Sequence, residues 1–249
     1  MTARVDTPPK PPFALTIGVV GHRPNRLPET ARATVETELD RLLDGLKQAA
    51  DVTFARHAGV FSDRPPTLTM ISALAEGADR MAAHAALRHG LKLAAALPFP
   101  ANDYERDFED ADSQADFADL LGKAAAALVL PGDYDTEPRD YESVGLVILD
   151  NADLIVAIWD GGPSGGRGGT TELIERAATM GLPVAHIDAT GANPTQLLWP
   201  DLADHPLTGG SLADTPARPV GDVLAMVVDA ITRPPIDADE RAKLEGRRR

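Results

Sequence analysis

The 249-residue chain has length for one large domain or two small ones, and its 43% of apolar residues can fill a sizeable core. Aromatic residues are only 4%, so that core is mostly Ala, Leu, Val and Ile, the filling of helix-covered parallel sheets. A formal net charge of −14 opposes nucleic acid as a partner, and the lack of cysteine removes disulfides, thiolate catalysis and zinc sites that need Cys.

In chain order, residues 1–12 are Pro-rich, carry no apolar signal core and are read as a disordered leader. Residues 13–20 (FALTIGVV) form a buried-strand run stopped by Gly21. Pro28 opens a helix that runs to Ala50, with Val35, Leu39, Leu42, Leu43 and Leu46 as its apolar stripe. A short strand is expected at 52–54, a second firm strand at 67–74 and a helix at 78–89, closed by Gly90. A third strand follows at 91–97, helical segments at 104–110 and 116–121, and a fourth strand at 124–130. A helix at 141–151, a strand at 153–159, a helix at 171–180 and a strand at 183–187 complete the alternation. Residues 191–220 read as a long loop, 221–232 as an amphipathic helix packed back on the sheet, and 234–249 as a polar tail.

Strand and helix alternate without internal repeat, which predicts an α/β fold: a doubly wound, mainly parallel sheet with helices on both faces. The main domain is expected over 13–190, with 191–233 packed on it. No stretch nears the roughly 18 apolar residues of a membrane span, so a cytoplasmic protein without a membrane partner is expected.

In such a sheet, ligands sit at the carboxyl ends of the strands, and four loops there carry candidate residues. After the first strand come Gly21, which permits close backbone approach, His22, and Arg23, whose planar fork suits phosphate or carboxylate. After the second come Glu76, Gly77 at a strand-to-helix turn that aims amides at an anion, and Asp79, suited to ribose hydroxyls or to the helix dipole. After the third, Tyr104 and Arg106 can close over a base or phosphate, although Tyr104 and Phe108 are also spaced for packing.

The fourth loop is the richest. Asp160 ends the fifth strand, and Gly161, Gly162, Gly165, Gly166, Arg167, Gly168 and Gly169 lead to Thr170 and Thr171 at a helix start, where amides can cradle phosphate. Glu172 lies in that helix's first turn. The loop has no Walker A Lys and the first strand no G-x-G-x-x-G, so ATP hydrolysis, a dinucleotide cofactor and a metal are not expected. The ligand these loops suit is a nucleotide or ribosyl phosphate.

In this order GVVGHRPNRL, SALAEGADR, LPFPANDYERDF and ADLIVAIWDGGPSGGRGGTTELIERA resemble the SLOG superfamily, which takes in DNA-processing protein A, the LONELY GUY phosphoribohydrolases and YpsA-like proteins. The resemblance covers roughly residues 13–188 and is nearest to bacterial members with a WDG…G.GGT loop. It implies a Rossmann-like fold and a ligand-sensing protein for a nucleotide or nucleotide-derived molecule, paired with a separate effector protein or a second copy. Helix 141–151 is then a candidate interface. Its alternative implication is an N-ribosyl hydrolase or transferase, like LONELY GUY enzymes or nucleoside deoxyribosyltransferases. There Glu172 would be nucleophile or acid–base, with Arg106 or Arg23 on phosphate. Pro163 and Thr170 are each displaced from their places in the LONELY GUY loop PGGxGTxxE.

Overall fold

The structure, a computed structural model, describes residues 9–108, 110–134, 137–163, 169–200, 211–221 and 223–233. The expectations for the first eight residues, for Gly165, Gly166, Arg167 and Gly168, and for the tail 234–249 lie outside them.

The parallel strands are β1 (Ala14–Gly21), β2 (Thr67–Ser72), β3 (Lys92–Leu97), β4 (Ala126–Val129), β5 (Leu154–Trp159) and β6 (Val184–Asp188). Two short antiparallel strands, β7 (Gln196–Leu198) and β8 (Ala217–Pro219), extend the sheet at one end, giving the order β4-β3-β2-β1-β5-β6-β7-β8. The chain therefore winds outward from β1 to β4, then returns to pair β5 with β1 on the other side. The Rossmann-like, mainly parallel sheet expected from the alternation is present.

Helices are α1 (Glu29–Arg56), α2 (Ala78–Arg88), α3 (Ala101–Tyr104), α4 (Ala111–Lys123), α5 (Glu137–Asp150), α6 (Thr170–Met180) and α7 (Leu224–Thr232). The pleat of β5 shows why they cover both faces. Leu154, Val156 and Ile158 pack with the apolar stripes of α1, α2 and α7, while Ile155, Ala157 and Trp159 pack with Leu149 of α5 and Ile174 of α6. All six β5 residues are buried, as a central parallel strand requires.

Three expectations are corrected. The strand at 52–54 is the last stretch of α1: the stripe continues through Ala49, Ala50 and Thr53, and Phe54 meets Phe13 and Phe61 edge-on or tilted, so tertiary burial overrides the local β-propensity of Val-Thr-Phe. The loop 191–220 contains β7 and β8, three-residue edge strands too short to leave a period-2 signal. The leader is tied down from Pro11, whose carbonyl accepts the Ser62 amide at 2.9 Å.

The C-terminal helix packs on α1, with Leu224, Val227 and Val228 buried. One buried carboxylate anchors it: Asp229 accepts from Arg233 at 2.6 Å and contacts His57 at 2.9 Å and Arg56 at 3.0 Å, at the far end of α1. Burial raises the pKa of Asp229, but these donors outweigh it and hold the group at about 2.

Asp229→Ala should cost about 1–2 kcal/mol at neutral pH, since it removes a buried shared acceptor whose arginine partners are solvent-exposed. Because the folded value of about 2 lies below the ordinary 3.8, the stabilisation is complete above that ordinary value and is lost as pH falls through about 2. Thermal unfolding of both proteins should therefore show a gap that closes as pH drops from about 4 to 2; a gap that persists undiminished contradicts the anchor.

Candidate functional site

The sheet reverses direction between β1 and β5, the switch point at which open α/β sheets bind ligands. There β1 ends at Gly21 and β5 at Trp159, and their loops depart to opposite sides. A cavity of about 360 Å³ lies over these strand ends.

Its walls divide into two kinds. Val19, Val20 and Ala73 from the sheet side, Val144 and Ile148 from α5, and Leu173 from α6 make an apolar end. At the other end Arg23, Asp79, Tyr104, Tyr141, Thr170 and Thr171 make a polar one. The polar groups are cross-tied. Arg23 pairs with Asp107 at 3.3 Å and lies 5.5 Å from the Tyr141 ring centre, while the Tyr141 hydroxyl donates to the same Asp107 carboxylate. Thr170 donates its hydroxyl to the Gly21 carbonyl at 2.9 Å and Thr171 to that of Gly162 at 3.0 Å, stitching α6 to the loops it faces.

Beside the cavity, Asp160 gathers the two loops. It accepts from Arg26 Nη2 at 2.8 Å, from Arg26 Nε at 3.2 Å and from the Gly162 amide at 2.9 Å. Nε2 of His22 lies 2.9 Å from the Asp160 carboxylate and accepts the Asp160 amide at 3.2 Å. Burial raises Asp160, but the bonds from His22, Gly162 and Arg26 prevail and lower it to about 2. Asp79 is the opposite case. Burial pushes it up to about 6, against the lowering by the Ala75 amide, the charge of Arg23 and the Ser72 hydroxyl. Burial, then the charge of Asp79, also raises Tyr104, so its phenol stays a donor.

Of the residues singled out from sequence, the cavity is lined by Gly21, His22, Arg23, Asp79, Tyr104, Gly169, Thr170 and Thr171. Glu76 instead faces a separate groove, where it accepts the Ser113 hydroxyl, and Asp160 lines an adjoining groove with Arg26. Glu172 is half-buried and Arg106 is exposed, 4.1 Å from the Tyr134 ring centre; neither lines the cavity. Gly161 makes a left-handed turn with φ 76° beyond β5.

Two glycines are required by packing. A Cβ on Gly21 would overlap that of Ala78 and lie 2.9 Å from the Ile158 carbonyl. Gly77 has φ 90° and packs on the backbone of the β1 loop, where the Ala78 amide expected to face an anion donates to the His22 carbonyl at 3.0 Å.

Sequence reasoning missed Arg26 and the whole α5 wall. The signal was present: Tyr141, Val144, Gly145 and Ile148 share one helical face, and that face turns inward onto the cavity. This side of α5 therefore forms a wall of the cavity.

No family model matches the chain, and no curated protein matches it. Among solved structures it is similar to DNA processing protein A from Streptococcus pneumoniae at 19% identity, over 72% of this chain and 54% of that one, with a TM-score of 0.47. This chain thus spans about half of that neighbour's length. The protein TM1055 is 16% identical over 68% of this chain and 72% of its own, with a TM-score of 0.35. DNA processing protein A from Helicobacter pylori, described for its single-stranded DNA binding mode, is 12% identical over 71% and 69%, with a TM-score of 0.40. All three scores fall below 0.5, and the fold assignment rests on the strand order above. Among the described residues no helix is long and apolar enough to cross a membrane, and no three His, Asp or Glu side chains cluster to hold a metal ion.

The two kinds of glycine give a stability test. Gly77→Ala combines a forbidden backbone with a Cβ 2.6 Å from the His22 carbonyl and should cost about 3 kcal/mol. Gly161→Ala, with φ 76° but open space around it, should cost only about 1 kcal/mol in chemical denaturation. Equal costs would contradict the packing role of Gly77.

Proposed function

We propose that the protein is a SLOG-type domain that binds a nucleotide or nucleotide-derived ligand in the cavity between the ends of β1 and β5. The observation that carries this reading is the division of that cavity into a cationic, hydroxyl-rich end and an apolar end. A nucleotide has the same division, with a charged phosphate at one end and a flat base at the other. The volume of about 360 Å³ is at the small end of ligand sites, about 300–1,000 Å³, and suits a mononucleotide.

In this reading the phosphate rests against Arg23 and the first turn of α6, whose amides after Gly169 have no carbonyl four residues back within the helix. Tyr104, Tyr141 and Asp79 offer hydrogen bonds to the sugar. The base lies against Val144, Gly145, Ile148 and Leu173. Such a sensor acts by reporting its ligand to a separate effector or a second copy of the chain.

Cleavage of an N-ribosyl bond by Glu172, with Arg106 on the phosphate, is the weaker reading because neither residue lines the cavity. Nucleic-acid binding, the subject of one structural neighbour, is disfavoured by the net charge of −14.

The test is a thermal-shift titration with AMP, adenosine and ADP-ribose, followed by chromatography of each mixture. AMP at about 100 times its Kd should raise the unfolding midpoint by about 5 °C or more and be recovered intact. Arg23→Ala should weaken AMP at least tenfold, whereas Glu172→Ala should leave its affinity within about twofold. Free base released by the wild type and not by Glu172→Ala would establish the enzyme instead. No shift with any nucleotide would remove the reading.

A further inference from the structure

Asp79 is the acid among the described residues that line the cavity, and it is only 7% exposed. Its surroundings are built. The Ser72 hydroxyl donates to its carboxyl group at 3.4 Å, and the nearby Ala75 and Ala73 amides favour its charged form. Between those amides Leu74 holds the left-handed conformation at φ 58°, which is costly for a branched side chain. It is held there by its amide bonding Ser72 Oγ at 3.0 Å and by its carbonyl accepting Arg80 Nε at 3.0 Å.

The charges facing Asp79 come from each neighbouring element. Arg23 on the β1 loop is already paired with Asp107, and Arg80 on α2 lies 3.6 Å from Asp116 with Glu76 nearby. Arg26, at the cavity edge, is taken by Asp160. Tyr104 presents a neutral phenol from α3, and His22 is bonded to Asp160. Each of these three arginines has a carboxylate of its own, and Asp79 is left sharing Arg23. A phosphate brought into the cavity adds one or two negative charges beside this buried carboxyl group. Like charges in one buried site drive one of the pair to take a proton.

We propose that Asp79 takes up a proton when a phosphate-bearing ligand enters this cavity, so that anion binding here is coupled to protonation. The proposal rests on the nucleotide reading above. Burial has already brought the group to about 6, so about a tenth of molecules carry the proton at pH 7 before any ligand arrives. The ligand then completes the titration. Affinity therefore rises as pH falls, by as much as tenfold per unit between about pH 8 and the point at which Asp79 is fully protonated.

The experiment is isothermal titration with AMP at pH 7.5 in buffers of different ionisation enthalpy, for the wild type and Asp79→Asn. The wild type should take up about half a proton or more beyond the uptake of Asp79→Asn. Equal uptake in both would assign the proton to the AMP phosphate and overturn the proposal. A second readout uses the wild type alone: the ¹³C shift of the Asp79 carboxyl should titrate at least about one and a half pH units higher with AMP bound, and an unmoved midpoint overturns it. Proton uptake absent while AMP binds defeats this inference and leaves the site; failure of AMP to bind at all defeats both.

Discussion

At the point where the sheet changes direction, two loops leave β1 and β5 toward opposite sides, and one carboxylate holds them to each other. Asp160 takes both loops in hand through Arg26 and His22 on one side and the Gly162 amide on the other. Its pKa is lowered to about 2 by those donors despite burial, so it stays charged throughout the physiological range. The strand pairing beneath is continuous, with Gly21 beside Ile158 and the His22 amide bonded to the Ile158 carbonyl at 3.0 Å. Every wall of the cavity is placed relative to this junction: α6 through Thr170 and Thr171, α2 through Gly77 and Ala78, and the far wall through the Arg23–Asp107–Tyr141 chain.

Two carboxylates a few residues from this junction are pulled in opposite directions, and the division is chemical. Asp160 is surrounded by cationic donors and serves as a tie. Asp79 is buried at the polar end of the cavity, bonded by Ser72 and sharing Arg23, and is raised to about 6. Groups with acidity so displaced in a concave site are where binding or chemistry is concentrated. Glu172, which its position in a helix's first turn recommends on sequence grounds, is in contrast set outside the cavity lining.

The fold was legible because burial writes itself into parallel strands. FALTIGVV and LIVAIW are continuous apolar runs, and in the structure they are the two central neighbours β1 and β5. The end of α1 was not, since Val-Thr-Phe favours strand locally and only contact with Phe13 and Phe61 settles it as helix. Strands β7 and β8, at three residues each, have no pattern of their own. In the site, loops directly after strands announced Arg23 and Thr170, but Tyr141 and Gly145 belong to a helix distant in sequence and read only as one face of a pattern. The glycines were visible and their cause was not: Gly21 and Gly77 are small because α2 presses on them, a long-range contact that no local window contains.

The most direct test of the claim that the β1–β5 junction is the ligand site is hydrogen–deuterium exchange with and without saturating AMP. Protection should concentrate in the β1 loop at 21–26, the turn at 73–79, the inward face of α5 and the first turn of α6, with α7 unchanged. Protection confined to other regions, such as the exposed β4 edge with Leu128 and Val129, would contradict the account.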